Sequence, residues 1–103
     1  MKEGLSALLG PEEMGLALAG RIRDLRLLRG WRRDTLALRA GVSTHSLKRF
    51  ELTGKASFEL VLKTAYALAR LVEFGGLLEP PAARSMSELE RRAARPMRKR
   101  GRI

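Results

Sequence analysis

Residues Arg33–Phe50, RDTLALRAGVSTHSLKRF, decide how this chain folds. Apolar side chains fall at Leu36, Ala37, Ala40, Val42, Leu47 and Phe50, and a glycine sits at Gly41. Two short helical patterns can be read here, one over about residues 32–39 and one opened by Ser43, a good N-cap residue. Gly41 stands where a tight turn between helices needs a positive φ, which glycine adopts at little steric cost. The small Ala37 lets the helices cross closely, and Val42 and Leu47 close the wedge between them, as in a helix-turn-helix. The outer face of the second helix is left polar: Thr44, His45, Lys48 and Arg49.

Working outward, Gly10-Pro11 opens a preceding helix over about residues 11–29. Proline suits the first helical position, and Glu12 and Glu13 favour the positive end of the helix dipole. Met14, Leu18, Ile22, Leu25 and Leu28 read as its apolar stripe, stopped by Gly30. After Gly54 ends the Ser43 helix, Ser57 is a second N-cap. It opens a helix with apolar positions at Phe58, Leu62, Ala65, Leu68 and Ala69. Residues 72–78 read as a short fifth helix, weakened by Gly75-Gly76. Pro80-Pro81 then closes the globular part. Beyond it, Ser85-Met86-Ser87-Glu88 has capping-box spacing, which predicts a short helix over about residues 86–94. Residues 95–103 hold five bases and no acid, the composition of a disordered tail. The fold expected is all-α. It is a four- to five-helix bundle over residues 11–78, with a Pro-hinged helix and an Arg-rich tail over 79–103.

The chain has 103 residues, 21 Lys and Arg against 11 Asp and Glu, and a net charge of +10. That length favours one small domain with a tail over a two-domain enzyme. The charge is uneven: residues 16–55 carry ten bases against Asp24, Asp34 and Glu51, and residues 84–103 carry eight against Glu88 and Glu90. Concentrated positive charge attracts a polyanion, so nucleic acid is the leading partner. With no cysteine, thiol catalysis, disulfides and cysteine-based zinc sites are excluded. His45 is the single histidine, so no metal site is expected and no cofactor is implied. Neither a paired catalytic carboxylate, a Ser-His-Asp set nor a phosphate-cradling glycine loop can be found, and an enzyme is not expected. No apolar run approaches the roughly 18 residues of a membrane span, and the first residues lack the pattern of a secretory signal. A cytoplasmic protein is the expectation.

The run LAGRIRDLRLLRGWRRDTLALRAGVSTHSLKRFELTGKAS, residues 18–57, resembles the Cro/CI (XRE) family of helix-turn-helix DNA-binding domains. The similarity extends over about residues 14–78, and the bundle it implies is of the lambda-repressor type. The resemblance pairs an arginine in the first helix with a glutamate ending the recognition helix, here Arg26 and Glu51, as a largely buried ion pair. It also implies that the recognition helix enters the major groove, with Thr44, His45, Lys48 and Arg49 facing base edges. Arg32, Arg33, Ser43, Ser46 and Lys55 are then candidates for phosphates, which position without reading sequence. Arg33 departs from the family, which usually has glutamine there. For Trp31 a packing role is expected over stacking on DNA.

One recognition helix covers few base pairs, so a homodimer on a palindromic operator in double-stranded DNA is expected. Its interface is expected to use Leu71, Val72, Phe74, Leu77 and Leu78. The distal segment LEPPAARSMSELERRAARPMRKRGRI, residues 78–103, is similar to the C-terminal extension of small HipB-type antitoxins, which implies a HipA-like kinase toxin as a second partner. The readings left open are a repressor that is also such an antitoxin, a stand-alone or phage-type repressor, and a non-specific basic nucleic-acid binder. The tail could lie on DNA, contact an acidic partner or only solubilise. A membrane-surface role ranks last, because the segment lacks an aromatic or Leu-rich face.

Overall fold

The computed structural model describes residues 10–82 and residue 91. Within them the chain forms four α-helices: α1 (Pro11–Leu28), α2 (Arg33–Ala40), α3 (Thr44–Thr53) and α4 (Phe58–Ala67), followed by a 3-10 turn over Leu71–Phe74. No strand occurs among the described residues. The expected helix over 86–94 and the tail over 95–103 lie outside the described residues, Arg91 apart.

Helix ends follow local chemistry. α1 has Pro11 in its first turn with Glu12 and Glu13 beside it, and Gly30 leaves it at φ +70°. α2 ends at Gly41, in the left-handed region at φ 72°, where Val42 N–H donates back to the Ala37 carbonyl at 3.0 Å. Ser43 and Ser57 cap α3 and α4, their side-chain oxygens accepting from the Ser46 and Leu60 amides at 3.0 and 3.1 Å.

α1 packs chiefly on α3, while α2 packs on both α3 and α4. The core is Ala19, Ile22, Leu36, Ala37, Leu47, Phe50, Leu60 and Leu68, with Leu25, Trp31, Val42, Val61 and Ala67 against it. Gly15 permits the α1–α3 contact: a Cβ there would lie 2.7 Å from the Gly54 carbonyl oxygen. A larger residue at either position would push the helices apart.

The faces differ from the expected ones in two helices. In α1, Ala19, Ile22 and Arg26 point inward, whereas Leu18 is partly exposed and Leu28 is 83% exposed. Met14, Leu18 and Leu25 instead flank an apolar groove of about 580 Å³ beside α4 and the 74–78 segment. The inward direction is set by where α3 can approach, and that is the side bearing Gly15 and Ala19. In α4, Phe58 is 65% exposed and Leu60, Thr64 and Ala65 are buried. The Thr64 hydroxyl is satisfied inside the helix by the Leu60 and Val61 carbonyls at 3.0 and 2.9 Å. α4 also stops at Ala67, before Ala69, which is exposed at φ 59°.

A regular fifth α-helix is absent from 72–78. The chain makes only the 3-10 turn and then further turns, with Leu78 at φ 59°. Gly75-Gly76 offers no helical preference there, and Pro80 lacks an amide to continue it.

Candidate nucleic-acid interface

Arg26 is the polar centre of the molecule. Its Nε donates to Glu51 Oε2 and its Nη2 to Glu51 Oε1, both at 2.9 Å, and its Nη1 donates to the Trp31 carbonyl at 3.0 Å. Both side chains are buried, at 8% and 0% exposure. One planar guanidinium thus ties α1 to the chain just after it and to the last turn of α3. Each hydrogen bond here is charge-assisted, and the two-pronged geometry fixes orientation as well as distance. No buried side-chain nitrogen or oxygen among the described residues lacks a partner.

A third member joins this pair. Arg33, at the start of α2, donates Nε to the same Glu51 Oε1 at 2.9 Å. Its Nε is therefore committed inward, and a phosphate could be held only through its Nη groups. This contact was not legible from residue spacing, because Arg33 and Glu51 are 18 residues apart and meet only when α2 crosses α3.

The outer surface of α3 carries Thr44, His45, Lys48 and Arg49, all exposed. None of their side chains makes an ion pair or hydrogen bond among the described residues. Leu52, 60% exposed, follows on the same surface. It was not among the expected contact residues, and its spacing of three from Arg49 is the signal that places it there. Ser43 and Ser46 serve the cap: the Ser43 hydroxyl donates to Ser46 Oγ at 2.8 Å while accepting the Ser46 amide. Lys55 is exposed just after Gly54, with its amide on Thr53 Oγ1 at 3.1 Å. Arg32 is 85% exposed and lies 3.5 Å from Asp34. A shallow depression of about 460 Å³ is lined by Arg26, Arg32, Arg33, Asp34, Thr44 and Lys48.

Part of the basic block at 16–55 serves packing. The guanidiniums of Arg39 and Arg29 lie 4.5 and 5.1 Å from the ring centre of Trp31, which is half-buried against the core. Arg29 also donates to the Leu68 carbonyl at 3.1 Å, tying the end of α1 to the end of α4. Arg23 lies 3.6 Å from Asp24.

The five expected dimer residues are divided between two depressions. Phe74, Leu77 and Leu78 line the apolar groove, whereas Leu71 and Val72 lie with Arg39, Tyr66 and Ala69 along another depression. Val72 is 83% exposed and Leu78 99% exposed, while Phe74 sets its ring edge-on to Phe58, centroids 6.4 Å apart.

Two acidic groups are perturbed. A hydrogen bond from Arg70 holds the Glu73 carboxyl below the usual carboxylate range, and one from Lys63 does the same for Glu59. Among the described residues no cluster of histidine, cysteine or acidic groups could hold a metal, and no helix is long and apolar enough to cross a membrane.

No protein-family model, curated protein or solved structure matches this chain.

Proposed function

We propose that this protein is a sequence-specific DNA-binding regulator, acting as a repressor, in which α2 and α3 form the helix-turn-helix and α3 enters the major groove. The carrying observation is the surface of α3. Thr44, His45, Lys48 and Arg49 are exposed and uncommitted beside further bases, on a helix anchored from behind by a buried, two-pronged ion pair. A groove-reading element needs both properties, free donors outside and a rigid support inside. Arg49 is suited to the O6 and N7 acceptors of a guanine, a contact worth about 1–3 kcal/mol of discrimination.

A homodimer on a palindromic operator is part of the proposal, because one such helix spans only a few base pairs. Within this class, the resemblance of residues 78–103 to HipB-type extensions favours an antitoxin that also restrains a HipA-like kinase toxin. A kinase-like gene beside this one, and a stable complex of the two products, is the expected finding. Its absence leaves the stand-alone repressor.

Selection of bound sequences from a random duplex pool, followed by titration with salt, tests the DNA reading. A defined palindromic site should emerge, with a log-log salt slope on the order of −5 to −9 if a dimer covers roughly six to ten phosphates. Equal affinity for random duplex would leave only a non-specific binder, and a flat salt response would remove the nucleic-acid reading.

A further inference from the structure

The apolar groove beside α1 has no part in the DNA reading. It holds about 580 Å³, and Met14, Leu18, Leu25, Val61, Phe74 and Leu77 are in its lining. Leu18 is 36% exposed and Leu77 55%, so apolar surface is left facing water, which is unfavourable. Three charged side chains stand in the same lining, Arg21, Arg70 and Glu73. Arg70 and Glu73 pair with each other, whereas Arg21 has no partner among the described residues. The occupant that fits such a groove is apolar and brings one acid.

Residues 1–9, MKEGLSALL, have that composition: Leu5, Ala7, Leu8 and Leu9, with Glu3 as the acid. They lie outside the described residues and join α1 at Gly10, one helical turn before Met14. Reach allows the match. Arg21 lies eleven positions beyond Gly10, about 16 Å along α1, and the seven residues back to Glu3 span at most about 23–25 Å. Leu18 is about 12 Å along the helix, and the five residues back to Leu5 span at most about 17–18 Å. The other occupants fit less well. Residues 84–103 carry eight bases against Glu88 and Glu90, a charge that Arg21 repels. A second copy laid groove to groove brings only Glu73, which Arg70 already holds.

We infer that residues 1–9 fold back along α1 and cover this groove within the same chain, with Leu8 and Leu9 on Met14, Leu5 on Leu18 and Glu3 on Arg21. The inference does not rest on the DNA reading. Covered in this way, Phe74, Leu77 and Leu78 are withdrawn from the expected dimer surface, and the depression with Leu71, Val72 and Tyr66 is left for a second copy.

The chain has no cysteine of its own, so paired cysteines report proximity directly, since a disulfide needs Cα atoms within about 7 Å. Full-length Leu5→Cys/Leu18→Cys and Leu5→Cys/Leu16→Cys are compared in oxidised glutathione. Leu16 is the control: it is 49% exposed on the same helix, nearer to Gly10, and does not line the groove. An unseated segment would reach Leu16 at least as readily. Seating should make the Leu18 disulfide form many times faster, and within one chain. Adding Glu3→Lys should slow it, and Glu3→Lys with Arg21→Glu should restore it. Without any cysteine, Leu5→Ser/Leu8→Ser should unfold at lower urea than wild type. Equal disulfide rates, or an unchanged urea midpoint, would overturn the cover. A disulfide between two chains would give the groove to a second copy, and faster closure by Leu18→Cys/Met97→Cys would give it to residues 84–103. A rate unmoved by Glu3→Lys would overturn the pairing of Glu3 with Arg21.

Discussion

Two glycines in α1 should respond in opposite ways to the same added methyl group. Gly15 and Gly20 lie in one helix, and in an isolated helix alanine at either would gain about 1 kcal/mol. In the folded protein a Cβ at Gly15 would stand 2.7 Å from the Gly54 carbonyl oxygen and 3.6 Å from its carbon. Those are backbone atoms at the end of α3, with no rotamer to escape into. Overpacking of this kind costs about 1–3 kcal/mol, so the propensity gain is cancelled or exceeded. At Gly20 nothing lies within 4 Å of the added carbon. Gly15→Ala should therefore be less stable than Gly20→Ala by about 1–3 kcal/mol. At roughly 4–8 °C per kcal/mol for a domain of this size, the two melting midpoints should separate clearly. Circular dichroism during thermal and urea unfolding measures this. Equal midpoints would mean that α1 and α3 do not approach through Gly15 and Gly54.

Other consequences can be checked on the same preparations. Arg26→Ala should lose about 3 kcal/mol, the low end for breaking a buried pair, because Arg33 still holds Glu51 Oε1 while Glu51 Oε2 and the Trp31 carbonyl lose their donor; unfolding at the wild-type urea midpoint would contradict it. Ala69→Gly should gain about 1 kcal/mol, since Ala69 is held at φ 59° where a side chain is disfavoured. The reverse sign in a denaturation curve would remove that reading. Carboxyl NMR titration should find Glu73 and Glu59 below the ordinary range. With folded values depressed, each contributes stability that is present at neutral pH and fades as pH falls through its folded value. Arg70→Gln should return Glu73 to the ordinary range while leaving Glu59 in place, and an unmoved Glu73 would show that Arg70 is not the cause.

Some features were legible in the sequence because their causes are local. Gly41, Gly54, Ser43 and Ser57 act on backbone within a few residues of themselves, so they mark turns and caps wherever the chain goes. The Arg33–Phe50 spacing gave the crossing of α2 on α3, and the polar outer side of α3 followed from the inward positions of Leu47 and Phe50. The face of α1 was not legible in the same way. Met14, Leu18 and Leu25 repeat as well as any stripe, yet the side with Gly15 and Ala19 faces α3, because only small residues there allow it to come close.

The amino-acid sequence by itself determined that the chain is helical, where most of its helices begin and end, and that cationic side chains lie along one of them. Only the tertiary structure decided which of those cations remain available. Arg26 is buried on Glu51, Arg33 shares the same carboxylate, and Arg29 and Arg39 close over Trp31, while Lys48 and Arg49 remain exposed. Helix ends depend on neighbours in sequence, whereas the fate of a long charged side chain depends on what packing brings within about 3 Å of its tip, which residue spacing does not encode.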